Sequence, residues 1–328
     1  MTPMLALVTG GQGFVGSHLC ERLTAVGHRV RVLARATSDL SALEGLDVEV
    51  VRGDLGADGD LRGAVEGVDW VFHVAGALMG LREEDLVRVN RDGTHRLTEA
   101  CRAHAPRLSR FVFVSSLAAA GPSPGGAVPV LEDAPSSPVT WYGRSKLEAE
   151  VVLRGSGLPS IILRPPVVFG PRDREVYKYF KIARRGILPV PGGRDRSYSL
   201  VFAPDLAEGI LKAAETPTPS GEVLHLTGPE VVTWSELGRK IAAALGTRDR
   251  VLHLPESLVR AAGHVADLAS RLRGRPNIFS SQKVIEMLAP AWVASPQKAK
   301  EVLGWTAPTP LDEALALTVR WYREHGWL

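Results

Sequence analysis

The sequence predicts an α/β protein: a doubly wound parallel sheet followed by a smaller α+β region. Three observations carry this. Short apolar runs alternate with helical stretches through the first half of the chain. The first run ends in Gly10, Gly13 and Gly16 and opens directly into a helix. After Arg164 the alternation gives way to clustered prolines and glycines. Alternating strands and helices make βαβ units, whose crossovers are right-handed, so helices cover both faces of the sheet. The boundaries expected are 1–164 for the sheet domain and 165–328 for a substrate-binding region packed over its open edge, with some later segments returning to the sheet.

The expected strands are Leu5–Val8, Val30–Leu33, Val48–Val51, Trp70–Val74, Phe111–Ser115 and Ser160–Leu163. Between them Phe14–Val26, Asp85–Ala103 and Trp141–Leu153 carry apolar residues at helical spacing. In the second half Pro165-Pro166, Gly170-Pro171, Pro189 to Gly193 and Pro217 to Pro219 break the chain into small elements and loops. Thr233 to Glu236 is a capping box, a hydroxyl with Glu three residues later, and should start a helix running to Leu245. Asp312–His325 reads as a final helix. Leu258, Val259, Ala262, Val265, Ala266, Ala269 and Leu272 form an apolar helical stripe with Arg271, Arg273 and Arg275 near its end. Such a stripe can lie on a membrane surface. Packing on the protein itself, as a lid or dimer face, is the reading favoured from sequence.

Composition bounds the function. The chain has 328 residues, 45% hydrophobic and 23% charged, enough for a large core. Its net charge of +3 is spread out, with no Lys/Arg block of the kind that tracks nucleic acid, so no nucleic-acid partner is expected. The two cysteines, Cys20 and Cys101, each fall in a predicted helix and read as buried reduced thiols. No leader pattern is visible, and no apolar run approaches the ~20 residues of a membrane span. A cytoplasmic protein without a membrane span is expected, with no metal.

The chemistry-bearing stretches come in a fixed order. A strand, glycine turn and helix at Leu5–Leu19 let backbone N–H groups and a helix N-terminus face a pyrophosphate. Gly10 makes the turn, Gly13 admits the phosphates and Gly16 lets helix and strand pack. Tyr142 and Lys146 share one helix face. A cation beside a phenol lowers its reference pKa of about 10 and makes it a usable acid or base. Phe111 to Leu117 is a buried strand ending in Ser115-Ser116, where a hydroxyl can hold a substrate oxygen. Each signal alone is common; their order and separation are not.

With these residues in place the chain resembles the extended short-chain dehydrogenase/reductase family, over nearly its whole length. Thr9 to Gly16 looks like that family's Rossmann cofactor turn, including Phe14 and Val15. Ser116, Tyr142 and Lys146 match its catalytic triad, and Asn90 sits where the family often has a fourth, helix-borne Asn. Arg164 to Pro171, with Pro166, resembles the segment beside the nicotinamide, and Val201 to Asp205 the return to the core. Trp292 to Trp305 resembles the C-terminal signature. The resemblance implies that Lys146 also binds the nicotinamide ribose, that Asp54 and Leu55 flank the adenine, and that Val74, Ala75 and Gly76 line the cofactor groove. It also implies a possible homodimer.

Cofactor type turns on the end of the second strand. NAD-preferring sites carry an acid there for the ribose 2′-OH. Here the run is Val32-Leu33-Ala34-Arg35, and the Arg35 fork suits a 2′-phosphate. NADP(H) is therefore favoured, with NAD(H) possible if a bent loop brings Asp39 round.

Departures from the pattern select a branch. Nucleotide-sugar enzymes of the family often place an Asn where Val167 stands, and an Arg-Asp-Phe run where Tyr198-Ser199-Leu200 stands. Its dehydratases carry an Asp-Glu pair where Leu117 to Ala120 follow Ser116. What remains resembles the 3β-hydroxysteroid dehydrogenase and dihydroflavonol reductase branch. The implied reaction is hydride transfer between nicotinamide and a secondary alcohol or ketone of a fairly apolar small molecule. Tyr142 moves the proton, Ser116 positions the oxygen, Lys146 tunes Tyr142, and Asn90 anchors a relay water. Substrate contacts are expected from Ala77–Arg82, Val167–Phe180 and Gly193–Tyr198, with Tyr177 and Tyr198 among the stacking aromatics. The alternative is a nucleotide-sugar epimerase with the same triad. A dinucleotide-sensing regulator would usually lack the Tyr/Lys pair.

Overall fold

The structure, a computed structural model, describes residues 2–56, 59–277 and 279–328. Its strands are β1 Leu5–Thr9, β2 Arg29–Ala34, β3 Val48–Arg52, β4 Trp70–His73, β5 Arg110–Val114, β6 Ser160–Leu163, β7 Val167–Phe169, β8 Ile187–Pro191, β9 Ser197–Phe202, β10 Glu222–Leu224, β11 Val231–Thr233 and β12 Arg250–Leu254. Its α-helices begin with α1 Phe14–Ala25, α2 Arg62–Val65, α3 Glu83–Val87, α4 Gly93–His104, α5 Leu117–Ala120, α6 Trp141–Gly155 and α7 Val176–Ala183. They continue with α8 Ala203–Glu215, α9 Trp234–Leu245, α10 Glu256–Arg273, α11 Ser281–Leu288, α12 Gln297–Leu303 and α13 Leu311–Glu324.

Seven strands form one sheet in the order β10-β6-β5-β4-β1-β2-β3, and every pairing in it is parallel. Strand order reverses between β1 and β4, the switch point outside which such sheets bind ligands. The central strands are apolar on both faces because helices cover both. Ala6, Leu7 and Val8 of β1 have no exposure, nor do Phe111 and Val112 of β5. Each fully buried Leu or Phe of this kind contributes about 1.5–3 kcal/mol.

The edge strand β10 comes from the second half of the chain and pairs Leu224 with Leu163. Helix α8 also belongs to this layer: Leu206 and Ile210 share a core with Leu19 and Leu23 of α1. Trp305 of the C-terminal signature closes the same core, its ring against Gly209. The remaining strands make a three-stranded sheet, β11-β9-β7, and a two-stranded one, β12-β8. A second core there gathers Phe180, Leu188, Ile241 and Tyr322.

Local chemistry sets the element ends. Thr233 Oγ1 accepts from Glu236 N while Thr233 N donates to Glu236 Oε2, and α9 stops at left-handed Gly246. One expectation needs correction. The helix read over Asp85–Ala103 is not uniform: Arg88–Asp92 forms a π turn between α3 and α4. Buried Asn90 lies in that turn, and such turns recur at functional sites. Cys20 and Cys101 are free and buried, and burial pushes both thiols up to about 12. Among the described residues, no helix is long and apolar enough to cross a membrane.

Candidate active site

A groove of about 1150 Å³ runs along the carboxyl ends of the strands. At its floor β1 turns into α1. Gly10 adopts φ +73°, and a Cβ there would stand 2.8 Å from Ala75 N. A Cβ on Gly16 would fall 2.1 Å from Gly10 O, so only glycine permits this packing. Gly13 is the N-cap of α1, with no side-chain cap and no acid in the first turn. The first N–H groups of the helix are therefore left for an anion.

Every cofactor residue expected from sequence lines this groove: Gly10, Gly13, Phe14, Val15, Gly16, Arg35, Asp54, Leu55, Val74, Ala75, Gly76 and Pro166, with Tyr142 and Lys146 at the far end. A glycine cradle, an uncapped helix start and a long groove fit a dinucleotide. Arg35 is exposed at the end of β2, and its carbonyl accepts from Arg52 Nη1 (2.8 Å). Asp39 lies outside the groove lining, its carboxylate turned back to Ser41 N (3.0 Å). Asp54 Oδ1 likewise accepts from Gly56 N at 2.9 Å.

A buried hydrogen-bond chain fixes the floor of the groove. Thr94 Oγ1 donates to Asn90 O at 2.6 Å, so it accepts from His73 Nε2 at 2.9 Å. His73 Nδ1 must then accept from Thr9 Oγ1 (2.7 Å), which accepts in turn from Ala75 N (3.3 Å). Burial, then the charge of Lys146, pushes His73 down to about 3, so the ring stays neutral and in this tautomer.

At the far end Ser116 ends the β5 run and caps α5, accepting from Ala118 N at 3.1 Å. Tyr142 stands at the start of α6 and lines the same groove as Ser116. Burial pushes the Tyr142 phenol up to about 12, opposed by the Ser116 hydroxyl and assisted by Glu286. Lys146 Nζ donates to Val114 O at 2.7 Å. The Lys146 ammonium also sits 4.3 Å above the Phe113 ring. Burial draws Lys146 down to about 7, with Glu150 opposing. Asn90 is held by three hydrogen bonds. Its Oδ1 accepts from Ala77 N (2.8 Å), and its Nδ2 donates to Ala77 O (3.0 Å) and Ser145 Oγ (2.9 Å). Its side chain thereby clamps the Ala77 backbone.

The substrate side departs from expectation. Ala77 to Leu81 and Val167, Val168 and Val176 do line the cavity. Tyr177 and Tyr198 do not line it. The Tyr177 hydroxyl donates to Trp327 O and its ring packs 5.0 Å from Tyr322. Tyr198 is buried with its ring 5.4 Å from Trp234. Both belong to the second core, so the aromatics that read as a substrate platform hold α13 and α9 instead. The cavity wall comes from α10 and α11, with His264, Asp267, Arg271, Gln282, Lys283 and Glu286. Gln282 Oε1 accepts from Trp141 N at 2.9 Å, tying α11 to the residue before Tyr142. No local pattern in the sequence marks this contact.

Comparison with known proteins agrees with the geometry. The family model for the NAD dependent epimerase/dehydratase family matches residues 6–226. The chain is 33% identical to ceramide reductase of Caulobacter vibrioides over 322 residues, 98% of this chain and 95% of that one. It is 31% identical to sterol demethylase protein B of Methylococcus capsulatus, covering 99% of this chain and 100% of the relative. Among solved structures, gox2253 superposes with a TM-score of 0.82 at 30% identity over 99% of each chain. MoeE5 in complex with UDP-glucuronic acid and NAD superposes with a TM-score of 0.77 at 25% identity, over 98% of this chain and 99% of that one.

Proposed function

The chain belongs to the NAD dependent epimerase/dehydratase family, as an oxidoreductase of the extended short-chain dehydrogenase/reductase type, and on that premise we propose that it interconverts a ketone and a secondary alcohol on an apolar substrate with NADP(H). The observation that carries this reading is the placement of Ser116 and Tyr142, both part-buried, in one groove lined by Ala77, Leu78, Met79, Leu81, Val167 and Val176.

A nicotinamide, when bound, would supply the hydride for the carbonyl carbon. Tyr142 delivers the proton to the carbonyl oxygen. A phenol pushed up to about 12 stays protonated at neutral pH and is ready to donate. Ser116 holds that oxygen within reach of the phenol. Lys146 would hold the nicotinamide ribose, and its ammonium, drawn down to about 7, can release or take a proton near neutrality. Asn90 keeps the Ala77 backbone, and with it the substrate loop, at a fixed height. The glycine turn and α1 would hold the pyrophosphate, and Arg35 would hold the 2′-phosphate.

The ceramide reductase and sterol demethylase relatives support an apolar substrate. A second reading, a nucleotide-sugar epimerase, draws on the likeness to MoeE5 and on the cations Arg88, Arg271 and Lys283 in the cavity wall. A panel of ketones with NADPH separates the two. A reductase consumes NADPH absorbance stoichiometrically. An epimerase carries tightly bound NAD and consumes none. Tyr142→Phe should cut turnover by about 10²–10⁴-fold while leaving NADPH fluorescence titration unchanged. An undiminished rate would remove Tyr142 from the mechanism.

A further inference from the structure

Helix α10 has two faces with different fates. Val259, Gly263 and Ser270 are buried, and Gly263 packs so close to α11 that a Cβ there would stand 2.8 Å from Val284. On the opposite side Leu258 is 56% exposed, Val265 67%, Leu268 60% and Leu272 80%. Ala261 and Ala262 are exposed beside them. At 100° per residue these positions fall within one stripe about 21 Å long. Four large exposed aliphatic side chains on one helix face are an interaction surface rather than scattered exposure.

The borders of the stripe are basic. Arg260 and Arg271 flank one side, Arg273 the other, and Arg275 follows just past the helix end. Among the described residues, Arg271, Arg273 and Arg275 make no ion pair, whereas Arg260 is held by Glu256. The nearby acid Asp267 is turned inward, accepting from Ser281 N at 3.1 Å. An outward apolar strip rimmed by free guanidinium groups complements an anionic lipid surface. The helix is too short and too polar to cross a bilayer, so it would lie in the interface. The same helix is also a wall of the catalytic cavity, through His264, Asp267, Ser270 and Arg271.

We propose that the outer face of α10 docks this enzyme on an anionic phospholipid bilayer, placing the cavity mouth beside the membrane. Resting on the apolar-substrate reading, the docked helix gives a membrane-resident ketone a route into the cavity without crossing water.

The test is co-sedimentation of the full chain with phospholipid vesicles, which needs no turnover and so stands or falls apart from the reductase reading. Vesicles containing phosphatidylglycerol should pellet the protein, and pure phosphatidylcholine vesicles should pellet at least tenfold less. Val265→Glu/Leu268→Glu/Leu272→Glu should lose at least tenfold in binding while keeping its thermal melt and its rate on a water-soluble ketone. Should that triple variant fail to fold, Arg273→Gln/Arg275→Gln leaves the apolar strip intact and should lose the preference for phosphatidylglycerol. Wild-type protein that stays in the supernatant at every phosphatidylglycerol content would overturn the proposal. So would a dimer in light scattering that the triple variant converts to a monomer, since the strip would then be covered by a second copy of the chain.

Discussion

Arg164 grips Glu150 through two parallel hydrogen bonds, 2.8 Å from Nε and 2.7 Å from Nη2, with side-chain exposures of 2% and 0%. Ser115 Oγ donates to the same carboxylate at 2.6 Å. One buried acid thus ties the ends of β5 and β6 to α6, one helical turn beyond Lys146. The pair sets the height at which α6 presents Tyr142 and Lys146 to the groove. Replacing Glu150 with Ala strands a buried guanidinium. The expected loss is about 3–5 kcal/mol in urea denaturation, and a loss under 1 kcal/mol would show that the pair carries little.

Lys146 gives the stability a defined pH dependence. Its folded pKa of about 7 lies below the ordinary 10.5, so between these values the unfolded chain binds the proton more readily. The contribution of this site is therefore full above about pH 10.5, falls as pH drops toward 7 and is flat below. Wild-type stability measured against Lys146→Met should follow that course. A difference constant from pH 7 to 10.5 would mean that the ammonium is not desolvated in the fold.

Gly10→Ala should damage cofactor binding before it damages the fold. The new Cβ meets the Ala75 backbone in a left-handed turn, so the cradle must widen. A rise of at least tenfold in the NADPH Kd, about 1.4 kcal/mol, is expected from titration. An unchanged Kd would place the pyrophosphate elsewhere.

Arg35→Ser tests the cofactor preference. Loss of a charge-assisted contact to a 2′-phosphate, about 1.5–3 kcal/mol, weakens NADPH roughly 10- to 100-fold and leaves NADH alone. Equal losses for both cofactors would assign Arg35 a role other than reading the phosphate.

The parts of the site legible in sequence are those whose geometry is local. Three glycines in one turn, or Tyr142 and Lys146 one helical turn apart, are brought together by the element itself. Ser116 was legible because it closes a buried strand. Asn90 was found as a residue but not as a clamp, since the π turn that aims it at Ala77 leaves no compositional mark. The contact of Gln282 with Trp141 spans 141 residues of chain and had no sequence signal. Tyr177 and Tyr198 misled for a physical reason. An aromatic in a loop-rich region suits a ligand platform or a core equally, and here Tyr322 of α13 with Trp327 beyond that helix, and Trp234 of α9, supply the core.

The parallel pairing of β10 with β6 carries a consequence for synthesis. As the chain leaves the ribosome, β6 is complete at Leu163, yet its outer edge stays open until Leu224 has emerged. An open edge of Ile161, Ile162 and Leu163 is a template for pairing with other nascent chains. Cells starved of chaperone should therefore lose this protein to inclusion bodies, and a pulse-labelled fragment stopped shortly before β10 should aggregate where one extended past it does not.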